Sequence, residues 1–279
     1  MKITKSRLNV GTYPYWHHTL DYCLDSIAAC GFQNVEFWAA SPQYCYADYT
    51  KEERIARKQE ILAMLHARGL AMPVFFPEQG NMYPLNIGSP SDYIRDHSMQ
   101  YLRDYIDDAV YFGSSVMILD AGNHVQDDKN PDNYKRAVEA IAALCDYAKQ
   151  YPGLALATEA VGPHNYSFSS NLQELQKLIA DVGMDNYQAC LSTTAAHGRG
   201  ETVCQYLEAF GSKLAHVHIA DTGSRAIGTG TDAEQDLLTL EQSDYAGSIS
   251  LDIQFRDCCI NPDAPVFASA AWLKAHHYL

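Results

Sequence analysis

What this sequence has little of narrows it first. Positive charge is short: 20 Lys and Arg stand against 34 Asp and Glu, a formal net charge of −14 at pH 7. So acidic a chain is repelled by phosphate backbones and anionic lipid, which argues against nucleic acid or a membrane surface as partner. No apolar run approaches the roughly 18 residues that a bilayer-spanning helix needs. The opening MKITKSRLNVGTYPYW holds no long apolar stretch of the secretory kind, so the cytoplasm is the expected compartment. The eight cysteines (Cys23, Cys30, Cys45, Cys145, Cys190, Cys204, Cys258 and Cys259) contain no CxxC pair. They stand in apolar contexts, as buried thiols in a reducing compartment do. No Pro/Ser-rich linker or break in composition divides residues 1–279, so one domain is expected.

What is present is an alternation, repeated eight times, of short apolar runs with longer amphipathic ones. The runs predict strands over Leu8–Tyr13, Asn34–Ala39, Met72–Pro77, Ser115–Asp120, Leu154–Ala160, Gln188–Thr193, Leu214–Ala220 and Ser248–Gln254. All are poor in charge, as strands buried on both faces are. Helical patterns lie at Thr19–Cys30, Lys51–Arg68, Asp96–Phe112, Asp132–Gln150, Leu172–Val182, Thr202–Phe210, Ala233–Gln242 and Pro265–His276. Gly31, Gly69, Gly113, Gly153, Gly183 and Gly211 follow helices, where a left-handed residue is needed, and Thr50, Asn130 and Asn171 can cap helix starts. Eight βα units at this length predict an α/β fold, the (β/α)8 TIM barrel. The alternative, a doubly wound open sheet, usually has a Gly-rich phosphate turn after its first strand, and none is found here.

In a TIM barrel the chemistry sits at the carboxyl ends of the strands. LAHVHIAD (214–221) carries His216 and His218 two apart, hence on one strand face. His216 is the deeper and reads as structural, while His218 reads as a metal ligand at the mouth. The fifth strand ends in ALATE with Glu159, and the eighth carries Ser248, Ser250 and Asp252 on one face. Glu159, His218 and Asp252 therefore converge on a divalent cation, for which Mn²⁺, Mg²⁺, Co²⁺ and Zn²⁺ all suit the donors. Glu36, Trp38, Glu78 and His124 are candidates to bind substrate hydroxyls or an amine-bearing substituent, with Asn81, Tyr83 and Asn86 on the loop after the third strand. Tyr44, Tyr46, Tyr49 and Tyr83, in the loops after the second and third strands, can stack on a substrate ring. Asp221 can take the second N–H of the ligating histidine. Cys190 and Ser192 share the inward face of the sixth strand, with Thr194 and His197 beyond.

The segments VEFWAASPQ (35–43), PEQGNMYPLN (77–86), TEAVGPHNYSFSSN (158–171), FGSKLAHVHIADT (210–222), IGTGT (227–231) and YAGSISLDIQ (245–254) resemble the sugar isomerase/epimerase superfamily. Within it, the chain is most similar to the fructoselysine 3-epimerase branch of the xylose isomerase-like barrels. The resemblance implies four metal ligands, one from each of the last four strands, falling on Glu159, Ser192, His218 and Asp252. Serine stands where the family has aspartate, and Asp252 is a shortened carboxylate. His197, five residues beyond Ser192, is a candidate substrate contact and a lesser candidate to replace the missing ligand. The implied cofactor is a divalent metal, Mn²⁺ first. The implied chemistry is proton transfer beside a sugar carbonyl through an enediolate, by Glu159 and Asp252. Relatives of this kind assemble as dimers or tetramers. Two other readings stay open: a degenerate sugar- or protein-binding relative without a complete metal site and so without metal, and a metal-dependent lyase.

Overall fold

The computed structural model describes residues 2–79, 85–125, 127, 130–162 and 166–279. The strands are β1 (Leu8–Gly11), β2 (Asn34–Ala39), β3 (Ala71–Pro77), β4 (Val116–Ile118), β5 (Ala155–Glu159), β6 (Tyr187–Ser192), β7 (Leu214–Ile219) and β8 (Ser248–Leu251). They pair in chain order, all parallel, and β8 returns to β1. The result is the closed (β/α)8 barrel that the alternation predicts. Outside it lie α1 (Leu20–Ala29), α2 (Lys51–Ala67), α3 (Asp92–Tyr111), α4 (Pro131–Ala148), α5 (Leu172–Val182), α6 (Thr193–His197), α7 (Val203–Phe210), α8 (Asp232–Gln242) and α9 (Asp263–Ala275). None of the described helices is long and apolar enough to cross a membrane.

Local chemistry explains the boundaries. Thr50 and Glu53 close a reciprocal capping box at the start of α2, and the Asn130 and Asn171 side chains accept the first free N–H groups of α4 and α5. Gly183 ends α5 at φ 65°, a conformation other residues adopt only with strain. Two helices differ from the sequence expectation. Ser91 caps α3, which starts at Asp92 rather than Asp96. A short extra helix, α6, follows β6 directly, because the Ser192 hydroxyl caps it by accepting the Ala195 N–H.

Two register shifts interrupt the ladders, one between Asn34 and Glu36 on β2, the other between Ala189 and Cys190 on β6. The first makes room for Pro73 within β3, which has no N–H to give a central ladder. Inside the barrel, Val74, Val116, Ile118, Ala157 and Cys190 form a small apolar layer. Polar inward residues of β2, β5 and β7 are left to meet beside it.

Candidate active site

Four strands contribute to one continuous chain of polar contacts. Glu159 Oε2, at the end of β5, lies 2.6 Å from Nδ1 of His218 on β7. The other nitrogen of that ring, Nε2, donates to the Glu36 carboxylate of β2 at 2.9 and 3.1 Å. The same carboxylate accepts from His216 Nε2 at 2.9 Å, and His216 Nδ1 meets the Ser248 hydroxyl at 2.7 Å. Phe76 lies nearly parallel to the His218 ring, at a centroid distance of 6.1 Å. Glu36, His216 and His218 are all buried.

This geometry dictates the protons. A carboxylate only accepts, so His218 with an oxygen at each nitrogen is an imidazolium in the metal-free protein. Burial opposes that charge, but Cys190, Glu36 and Glu159 together hold its pKa well above the ordinary range. Burial likewise opposes the Glu36 charge, and the two histidines overcome it, pulling its pKa well below the usual carboxylate range. His216 is pushed down, burial outweighing its bond to Glu36, and serves as a neutral donor. Because Glu36 holds Nε2–H, a cation in this site would meet Nδ1.

Above this chain opens a cavity of about 670 Å³, large enough for a monosaccharide or a modest conjugate. Its wall carries three carboxylates, Glu78, Asp120 and Glu159, with Tyr13, Trp38 and Phe76 as the aromatic side. Among the described lining residues none is Lys, Arg or His. Burial, then repulsion by Glu159 and Glu78, pushes the Asp120 carboxyl up to about 7. Asp252 lines an adjoining cavity of about 90 Å³ with Glu36, and the two cavities share Tyr13, Trp38, Phe76 and Gln254. Burial raises Asp252 to about 6, with His218 pulling the other way and Glu159 adding to the rise.

Several sequence expectations are corrected here. Glu36 faces His216 and His218 rather than a sugar, because its strand points it across the lumen at β7. Glu36, not Asp221, therefore takes the second N–H of His218. The Asp221 carboxylate instead accepts the backbone N–H groups of Gly228, Gly230 and Ala233, pinning the loop ahead of α8. His197 lies at the end of α6, turned away from the barrel mouth, and pairs with Asp236 of α8 at 3.2 Å. His124 is exposed and packs edge-on against Phe168, and its neighbour Asn123 lines the cavity. Tyr44 is buried with its hydroxyl on Asp108, half-buried Tyr46 and Tyr49 pack against the core, and none of the three lines the cavity. Asn86 bridges loops by donating to the Asn123 carbonyl, while Asn81 and Tyr83 lie outside the described residues. Trp38, Glu78 and Ser192 do reach the cavity wall.

Sequence reasoning passed over Gln79 and Gln254, and it gave Cys190 no role. Gln79 ties the ends of β3 and β4, accepting the Asp120 N–H and donating to the Ile118 carbonyl. Cys190 was legible as an inward residue from its two-residue spacing to Ser192, but nothing in the spacing assigned it a role.

The donor set suits a divalent cation. Glu159 Oε2 and His218 Nδ1 stand together, and the Cys190 sulfur joins them with one ligand atom from each of the three residues within 4.8 Å of one another. Among the described residues Asp252 joins no such cluster, although its carboxyl feels the charges of both Glu159 and His218. The Ser192 hydroxyl is engaged as the cap of α6.

A family model described as a xylose isomerase-like TIM barrel matches residues 24–276. The chain is 23% identical over 220 residues to a fructoselysine 3-epimerase of Shigella flexneri, covering 77% of this chain and 76% of that protein. Among solved structures, a D-psicose 3-epimerase from Clostridium cellulolyticum H10 superposes with a TM-score of 0.77 at 17% identity, over 98% of each chain. A 3-keto-D-glucoside 4-epimerase from E. coli follows with a TM-score of 0.76 at 16% identity, over 96% of this chain and 99% of that one. With its closed eight-stranded barrel and a polar cluster at the strand ends, the chain belongs to the xylose isomerase-like TIM barrel family.

Proposed function

We propose that this protein is a sugar epimerase or isomerase acting on a ketose or an amine-bearing sugar derivative. The observation that carries the reading is the meeting of the Glu159 carboxylate and His218 Nδ1, 2.6 Å apart, beside an acid-walled cavity. Glu159 and His218 would hold a divalent cation, Mn²⁺ foremost, with Asp252 as the third donor nearest in charge. A bound cation supplies positive charge beside the substrate carbonyl, which lowers the cost of removing a neighbouring C–H proton.

The chain's own residues do the rest. Glu159 takes the proton from carbon, and Asp252 is the second carboxylate that returns one. Trp38, Tyr13 and Phe76 exclude water and pack the apolar face of the sugar ring. Without a described Lys or Arg in its wall, the cavity repels phosphorylated sugars and favours neutral or amine-bearing ones. The epimerases among the relatives agree with this choice of substrate class.

The test is deuterium exchange. In D₂O the metal-loaded protein should wash deuterium into one carbon of D-psicose, D-fructose or fructoselysine. Glu159→Gln should lower that rate about 10²–10⁴-fold. Exchange unaffected by Glu159→Gln would remove Glu159 from the chemistry.

A further inference from the structure

We infer that Cys190 is itself a metal ligand, completing with Glu159 and His218 an oxygen–sulfur–nitrogen site that selects zinc(II) over manganese(II). The inference rests on the metal-dependent reading above, and it changes which ion that reading expects.

Cys190 stands at the centre of the three strands concerned. Its Cα pairs with that of Glu159 on one side and that of His216 on the other. The register shift between Ala189 and Cys190 falls at this point of the β6–β7 ladder. Its sulfur lies 3.8 Å from His218 Nδ1, the nitrogen that Glu36 leaves free and that Glu159 also approaches. Two different donor atoms, the Glu159 oxygen and the Cys190 sulfur, therefore crowd one nitrogen of one buried ring.

The spacing fits a tetrahedral ion. With zinc–nitrogen and zinc–sulfur bonds of about 2.0 and 2.3 Å, the two ligand atoms stand about 3.5 Å apart. The observed 3.8 Å needs only a few tenths of an ångström of adjustment. Glu159 must back away from the ring by less than about 1 Å, a side-chain rotation at the open rim.

Charge argues the same way. The family-like position two residues on carries Ser192, a neutral hydroxyl engaged as a helix cap, so one anion is missing there. A Cys190 thiolate restores it. Glu159 and the thiolate then balance a dication, with His218 as a neutral donor. On binding, the sulfur–hydrogen and Nδ1–hydrogen bonds break, both protons leave to solvent, and metal–sulfur and metal–nitrogen bonds form. No electron is transferred. Thiolate is a soft donor that favours zinc or cobalt over manganese and magnesium, which prefer oxygen. The competing account is that Cys190 only fills space among Val74, Val116, Ile118 and Ala157.

Cobalt(II) separates the two. The full chain is stripped with chelator and loaded with one equivalent of Co²⁺. The expected result is visible ligand-field absorption with a near-ultraviolet sulfur-to-cobalt charge-transfer band. Cys190→Ser, nearly isosteric, should abolish that band and keep the ligand-field absorption. In competition calorimetry it should weaken Zn²⁺ at least about tenfold, while Mn²⁺ changes less than about threefold. Should Cys190→Ser fail to fold, zinc-edge X-ray absorption of the wild-type chain decides, with one sulfur expected at about 2.3 Å. Cobalt bound without the charge-transfer band, or a zinc shell of nitrogen and oxygen alone, would overturn the role of Cys190 while leaving the metal-dependent reading intact. A wild-type chain that takes up neither Co²⁺, Zn²⁺ nor Mn²⁺ overturns both.

Discussion

Replacing Asp120 by asparagine should stabilise the metal-free protein, and only at neutral to alkaline pH. The Asp120 carboxyl rises from its ordinary 3.8 to about 7, first because it is desolvated and then because Glu159 and Glu78 repel its charge. Below about pH 3 the group is protonated in both the folded and unfolded chain and contributes nothing to the difference. Between 3.8 and about 7 the unfolded chain loses this proton while the folded one keeps it, so stability falls as pH rises. At about 1.4 kcal/mol per pH unit, the full cost above pH 7 is about 4 kcal/mol. Asparagine removes that cost but brings its own desolvation, about 1–2 kcal/mol, leaving a net gain of about 2–3 kcal/mol at pH 8. At pH 5 the charge cost is under about 2 kcal/mol, so the two terms nearly cancel. For a chain of this length the gain at pH 8 corresponds to about 4 °C in Tm. Thermal unfolding of chelator-treated Asp120→Asn and wild type at the two pH values measures it. An equal shift at both, or a loss at pH 8, would show that Asp120 is not held against the other carboxylates.

Other outcomes follow from the same geometry. Ser192→Asp restores an anion to the cavity wall, and aspartate caps helices as well as serine does, so α6 should persist. Mn²⁺ binding should tighten about tenfold or more by calorimetry, and further with Asp252→Glu. Unchanged Mn²⁺ affinity would place Ser192 outside any metal's reach. Asp221→Ala strips the acceptor from three backbone N–H groups and should cost about 2–4 kcal/mol in urea unfolding. Metal affinity should stay the same. A fall in metal affinity with no loss of stability would instead tie Asp221 to His218.

Much of this molecule is legible along the chain. The eight-fold alternation specifies the barrel because charge-poor runs of strand length must be buried on both faces and amphipathic runs on one. Strand-end position singled out Glu159, His218 and Asp252, since a side chain's inward direction follows from the period of two once the barrel is granted. Helix starts at Thr50, Asn130 and Asn171 were readable for a local reason, a side chain accepting N–H groups two or three residues ahead. What lay beyond the sequence is which inward residues touch. Glu36 and His216 are 180 residues apart on strands that are not neighbours, and only closure of the barrel brings one across the lumen to the other. No spacing encodes that contact, so Glu36 read as a sugar contact and Asp221 as the partner of His218. The short helix α6 had the same effect on His197, turning it toward Asp236. Local pattern determined the strands and the faces they present. Tertiary closure decided which carboxylate each histidine meets, because that depends on distances across a lumen that the one-dimensional chain does not contain.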